Sequence, residues 1–270
     1  MSMNKRLEQS RKAFEKKDIK LAAQTHSARA ISGAAKEQHG SNGSQYIGSA
    51  VYGGLDGVVT TFAAISGVAG AALGANIVLI MGLANLLADG VSMAVGAYLS
   101  DKSEHEYYDR EYERENWEVE HFPQGEKDEL SEIYQQQGYQ KEDSDKMIEV
   151  LSTNKKSWVD QMMLLELGLL KDDKKPVVSG VVTFIAFLIA GAIPLIGYLI
   201  TNGNGATSQT SFLVAAVVSG ITLFGLGSAK SKVTGLNPIR SGFEMLIVGG
   251  LAAAVAYVVG LYLKSIGISG

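Results

Sequence analysis

The sequence predicts an all-α integral membrane protein: five transmembrane helices, with a three-helix cytoplasmic insert between helices two and three. Three observations carry this. Five long apolar runs occur within 270 residues. Of the 28 Asp and Glu residues, 21 fall in the single block 101–173. The short loops between apolar runs are either basic or uncharged, as in membrane proteins of fixed orientation. Bulk composition hides the pattern, because 19% charged residues and a mean hydropathy of +0.10 would suit a soluble protein. The net charge of −4 sums an acidic block, a mildly basic N-terminus and a nearly uncharged remainder. It describes no real surface and gives no sign of a nucleic-acid partner. The absence of cysteine excludes disulfides and thiolate metal sites.

Residues 1–45 read as a cytoplasmic N-terminal arm, a soluble helix followed by a linker. Leu7, Phe14, Ile19, Leu21 and Ala22 recur loosely at helical intervals, and His39-Gly-Ser-Asn-Gly-Ser44 is turn chemistry. The arm is too polar for a signal peptide. It is expected to pack on the acidic domain or on the lipid surface.

Transmembrane helices one and two occupy 46–100, as apolar runs 46–73 and 75–98 separated only at Gly74. Each can cross about 30 Å of hydrocarbon at about 1.5 Å per residue. The acidic block, 101–175, reads as three helices. The first continues helix two without a breaker, since no Pro or Gly occurs from Ala97 to Phe122. Together they predict a rod of about 60–70 Å. Pro123-Gln-Gly125 ends it, a short helix follows over 126–137, and a third runs from about 141 to 170. Transmembrane helices three to five lie within 176–270, as runs 177–200, 211–229 and 242–263.

Loop charge sets the orientation. The turn at Gly74 and the loop 201–210 carry no Lys or Arg, whereas the N-terminal arm has nine and the acidic block eleven. Lys230, Lys232 and Arg240 follow helix four. The positive-inside rule then places the N-terminus and the acidic block in the cytoplasm and the C-terminus outside. Short uncharged outer loops and the lack of a targeting segment point to a prokaryotic inner membrane rather than an organelle.

Ionisable residues inside an apolar span are costly and are functional candidates by default. Asp56 lies in helix one. Asp89 lies in helix two, one turn before Met93 and so on the same face. Glu244 follows Arg240 by four residues, which predicts an intrahelical pair. The alternative for each is a buried, hydrogen-bonded Asp that fixes helix packing, and it weighs more for Asp89 than for Asp56. Facing a water-filled path, either could bind a cation or carry a proton. In the acidic block most carboxylates should be solvated helix surface. One pattern is narrower: Glu115-x-x-Glu118, Glu126-x-x-Glu129 and Met162-Met163-x-x-Glu166. An i,i+3 pair puts two carboxylates on one helical face, and an added thioether favours softer first-row metals over Mg²⁺ or Ca²⁺. Met162 and Met163 could also simply be core.

At these residues the chain resembles the vacuolar iron transporter family, the iron and manganese transporters, in a prokaryotic-type form. The resemblance rests on Tyr52-Gly-Gly-Leu-Asp-Gly-Val-Val-Thr-Thr61, Ala88-Asp-Gly-Val-Ser-Met-Ala-Val-Gly-Ala-Tyr-Leu-Ser100, the acidic block and Gly242-Phe-Glu-Met-Leu-Ile-Val-Gly-Gly250. It covers about 46–266 and leaves out the arm. It implies a homodimer with the metal path at the subunit interface, and export of cytosolic Fe²⁺ or a similar ion against protons. It implies a transport path through Asp56 and Met93, and a cytoplasmic metal-binding domain of Glu115, Glu118, Glu126, Glu129, Met163 and Glu166, with Met162 as a further partner. Many members carry Glu after the Gly of helix two's last turn, where this chain has Ala97 after Gly96. Asp89 could compensate from a deeper position.

The expected activity is therefore transport of a divalent metal, with the metal as substrate and no prosthetic group. A metal-gated cation channel is the alternative. No Ser/His/Asp arrangement occurs in the spans, and the acidic block lacks the Glu-x-x-His pattern of ferritin-like sites, so an enzyme is not expected.

Overall fold

In the computed structural model residues 3–35, 44–203 and 207–267 are described, and their regular structure is entirely helical. The linker expected over His39 to Gly43 lies outside them. The chain divides into a unit of residues 1–48 and a unit of 49–270.

The first unit holds three short helices where one was expected: α1 (Met3–Lys16), α2 (Ile19–Thr25) and α3 (Ala28–Ala35). The breaks follow from local chemistry. Lys17 adopts a left-handed φ of 51°, and the Asp18 side chain accepts from the Leu21 amide at 3.0 Å, capping α2. Ser27 Oγ likewise accepts from the Ala30 amide at the start of α3. Phe14 and Ile19, two of the apolar residues recurring at helical intervals, are exposed.

In the second unit five helices are long and apolar enough to cross a membrane, as expected. They are α4 (Ile47–Gly70), α5 (Ala75–His121), α9 (Pro176–Gly203), α10 (Ser208–Thr234) and α11 (Pro238–Ser265). The chain is a multi-pass membrane protein. Outward rows of Leu83, Leu87, Val91, Val95 and Leu99 on α5, and of Ile247, Leu251, Val255 and Tyr262 on α11, are exposed. Such apolar rows are stable facing lipid or another apolar partner. The α4–α5 turn pivots on Ala72, with φ 56°, rather than on Gly74, which caps α5 in extended geometry.

Small residues bring the backbones together. A Cβ built on Gly191 of α9 would stand 2.8 Å from the Gly57 carbonyl oxygen of α4 and 3.0 Å from Thr61 Oγ1. Only a residue without a side chain fits this crossing. The apolar filling around it includes Val58, Ile65, Leu86, Phe187, Ala190 and Leu195.

Helix α5 is continuous over 47 residues, a rod of about 70 Å at 1.5 Å per residue. The remaining insert helices are α6 (Pro123–Gln136), α7 (Lys141–Leu151) and α8 (Lys155–Leu165). The single helix expected over 141–170 is thus two. Ser152 and Thr153 turn their hydroxyls back onto the Glu149 and Val150 carbonyls, and Asn154 Oδ1 accepts from the Ser157 amide at 3.1 Å. These bonds compete with helix continuation and cap α8 instead. Beyond Leu165, Gly168 at φ 66° keeps the chain from continuing as helix to 170. Val119, Leu130, Tyr134, Ile148, Trp158, Val159, Met162 and Met163 form one buried core under α5, α6, α7 and α8. Proline at the start of α6 explains why that helix begins at 123 and not 126.

Candidate metal centre and membrane path

The insert helices bring together carboxylates that are far apart in sequence. Oxygens of Glu115, Glu118 and Glu126 lie within 4.8 Å of one another, and so do oxygens of Glu126, Glu129 and Glu166. Glu126 belongs to both groups. Glu115 and Glu118 come from one face of α5, Glu126 and Glu129 from one face of α6, and Glu166 caps the C-terminus of α8. The i,i+3 spacing supplies each pair, and the core beneath supplies their convergence.

The environment is unusual for carboxylates. Glu115 is fully buried and Glu126 only 6% exposed, and Glu126 Oε2 has no hydrogen-bond partner. Burial, and then the negative charge of Glu166, pushes Glu115 up to about 7, against the opposing pull of Arg114. Burial, and then Glu115 and Glu129, pushes Glu126 up to about 7 as well. Glu166 is raised by burial and by Glu129. Several oxygens held this close without enough protons or cations between them are what a hard or borderline divalent cation relieves.

One cation of the protein is already there. The Arg114 guanidinium donates from Nε to Glu111 Oε2 at 2.9 Å and from Nη1 to Glu118 Oε2. Its Nη2 lies 2.6 Å from Glu115 Oε1, an ion pair without hydrogen-bond geometry. Glu111 also accepts from Arg110 Nη2 at 2.8 Å. Neither Arg114 nor Glu111 was singled out from the sequence, although Glu111-x-x-Arg114-Glu115-x-x-Glu118 places all four within reach along one helix.

Met162 and Met163 sit in the insert core, 0% and 1% exposed. Their first placement is therefore packing, immediately beneath the helix end that carries Glu166.

Within the membrane helices, Asp56 is half-buried on α4 and Asp89 half-buried on α5. Asn85 Nδ2 donates to Asp89 Oδ2 at 2.8 Å, a partner the sequence reading did not name. Thr60, Asn85 and Asp89 border a 610 Å³ groove that continues along Gly67, Ala256 and Gly260 of α4 and α11. Met93, one turn beyond Asp89, is partly buried against the Phe187 cluster. Glu244 is exposed on α11, and the expected pair with Arg240 is not formed among the described residues. A hollow of similar size lies where α5 leaves the apolar zone, lined by His105, Tyr108 and 169–176, but Lys174 holds Asp172 there at 2.9 Å and the clustered carboxylates lie elsewhere.

Comparison with known proteins identifies the family. The chain is 42% identical over 267 residues to a protein of Toxoplasma gondii named vacuolar iron transporter, covering 96% of this chain and 88% of that one. It is 32% identical to the protein of that name in Plasmodium falciparum, covering 97% and 98%. To vacuolar iron transporter 1 of Arabidopsis thaliana it is 35% identical, covering 77% and 82%. These relatives are eukaryotic, so the expectation of a prokaryotic-type member in a prokaryotic membrane finds no support. Coverage of 96–97% also takes in most of the N-terminal arm, which the sequence resemblance had left out. The VIT family pattern matches residues 47–261, five spans and insert together, and the chain belongs to the VIT family.

Proposed function

We propose that this chain carries Fe²⁺, or Mn²⁺ or a similar divalent metal, out of the cytosol across a vacuole-type membrane in exchange for protons. It is a transporter and not an enzyme. The observation that carries the reading is the pair of carboxylate groups sharing Glu126, the first of which takes Glu115 and Glu118 from the same continuous helix as Asp89 and Met93. The names of the relatives supply iron and the vacuole. The insert and the N-terminus face the cytosol, where loop charge puts them, and the C-terminus faces the lumen. A homodimer closes the path, because the Asp89 groove on α4, α5 and α11 is open to one side of a single chain.

In this reading Glu115, Glu118, Glu126, Glu129 and Glu166 capture the ion, with Met162 and Met163 supporting that wall from beneath. Met93, Asp89 and Asp56 then conduct it. Glu115 and Met93 are 22 residues apart on α5, about 33 Å along the axis. That is too far for direct handover, so the insert acts by raising the metal concentration at the mouth of the path. Asp56 is the proton-coupled group, because one carboxylate cannot hold a metal and a proton together.

The test is metal flux into proteoliposomes with and without an imposed pH gradient, using wild type and Asp56→Ala. The expected result is gradient-dependent flux in wild type and none in the variant, with both proteins monodisperse. Full flux by Asp56→Ala overturns the assignment of Asp56. Flux indifferent to the gradient overturns exchange in favour of a metal-gated channel.

A further inference from the structure

The capture cluster contains its own competitor for metal. Arg114 spends three nitrogens on three carboxylates: Nε on Glu111, Nη1 on Glu118, Nη2 on Glu115. Two of those carboxylates belong to the group whose oxygens converge, and the third does not. A guanidinium cannot lose its charge by deprotonation at any relevant pH. A divalent ion approaching Glu115 and Glu118 needs the oxygens that Arg114 already engages, and is repelled by the same fixed positive charge.

We infer that Arg114 is a displaceable counter-cation that sets how tightly the cluster holds metal, and that Glu111 is the carboxylate on which Arg114 rests when metal takes Glu115 and Glu118. Three features support the second half. Glu111 lies outside both convergent groups. It is anchored independently by Arg110 at 2.8 Å. The Arg114 side chain is 39% exposed, which leaves room for the head group to swing about its Glu111 contact. The planar fork matters, because a lysine ammonium is a point charge and does not bridge a ligand and a resting carboxylate in fixed geometry. The inference rests on the capture reading above and deepens it: an uncompensated carboxylate cluster would bind metal tightly and release it slowly, which a transporter cannot use.

The consequence is a pair of opposite effects from two residues that are not ligands. The experiment titrates the full chain in detergent with Mn²⁺ by calorimetry at pH 8 and fixed ionic strength. A chelator chase follows, read on tryptophan fluorescence, since both tryptophans, Trp117 and Trp158, lie in the insert. Arg114→Gln is expected to tighten Mn²⁺ binding about two- to fivefold, the range of one partly exposed ion pair, and to slow its release. Glu111→Gln is expected to weaken binding by a similar factor, because Arg114 then has only the ligand carboxylates to rest on. The double variant is expected to follow Arg114→Gln. If Arg114 merely holds the cluster in shape, both single variants weaken binding, and that outcome overturns the inference, as does unchanged affinity in both. Should Arg114→Gln fail to fold, Arg114→Met takes its place with the same expectation, and weaker or unchanged Mn²⁺ binding by it overturns the inference. Wild type that takes up no Mn²⁺ at all overturns the capture reading first and this inference with it.

Discussion

Metal binding by the insert should be steeply pH-dependent in the neutral range, and the size of the effect follows from two side chains. Glu115 and Glu126 both sit near 7 because burial disfavours their charged forms. Metal binds only the deprotonated carboxylate, so each must first lose its proton. A group of pKa 7 is about 90% deprotonated at pH 8 and about 9% at pH 6, so each contributes about a tenfold change in apparent affinity across that interval. Two such groups give about a hundredfold, whereas carboxylates at an ordinary 4.5 would give almost none. At pH 7 binding should also release about one proton per metal. Calorimetric titration of the full chain with Mn²⁺ at pH 6, 7 and 8, repeated in two buffers of different ionisation enthalpy, measures both quantities. Glu126→Gln should reduce the dependence to about tenfold. A wild-type affinity that changes less than about threefold between pH 6 and 8 would refute the reasoning, because the buried carboxylates would then not be the groups that bind.

The same shifts bear on stability. Folded-state values above the ordinary 4.5 mean that the fold favours protonated Glu115 and Glu126; that stabilisation is complete below about 4.5 and is lost as pH rises through 7. Without metal, the insert should lose stability, on the order of a few kcal/mol in all, between about pH 5 and about pH 8, read as a falling tryptophan-detected melting temperature that Mn²⁺ restores; a melting temperature rising over that interval refutes it. Gly191→Val should cost about 1–3 kcal/mol by forcing α4 and α9 apart, seen as a lower detergent melting temperature and loss of monodispersity on size exclusion; wild-type behaviour would mean the helices do not cross there. Asn154→Ala should remove the α8 cap and lower insert stability by about 1 kcal/mol without changing the five-span fold, checked by the same fluorescence melt.

The spans were legible because lipid imposes a rule each segment must satisfy alone: enough apolar residues in sequence to cross. The continuity of α5 was legible for a similar reason, since no breaker stands between Ala97 and Phe122. The break at Ser152-Thr-Asn154 was also present in the sequence, as three residues whose side chains bond back to the local backbone, but with no Pro or Gly between 141 and 167 a single helix was expected there. The Glu115–Glu118 and Glu126–Glu129 pairs were visible as i,i+3 spacings. That they face one another across α5 and α6, and that Glu126 serves two groups, depends on the core of Leu130, Trp158 and Met162, a tertiary fact. Arg114 was missed because a basic residue among many acidic ones reads as ordinary helix-surface pairing until the burial of Glu115 is known. The expected Arg240–Glu244 pair failed for the converse reason: spacing permits such a contact without requiring it.

The unbroken α5 has a mechanical consequence. A rod of about 70 Å pivoting near its middle turns a tilt of about 5° into a displacement of about 3 Å at each tip, in opposite directions. The carboxylate wall near one end and the membrane half that carries Asp89 therefore form the two arms of a single lever. With α6 and α8 packed on the far arm, any rearrangement that draws Glu126 and Glu166 towards Glu115 applies a torque to the membrane-embedded arm. The backbone contacts at Gly180 and Gly191, where α9 meets α5 and α4, are the fulcrum against which that torque would act.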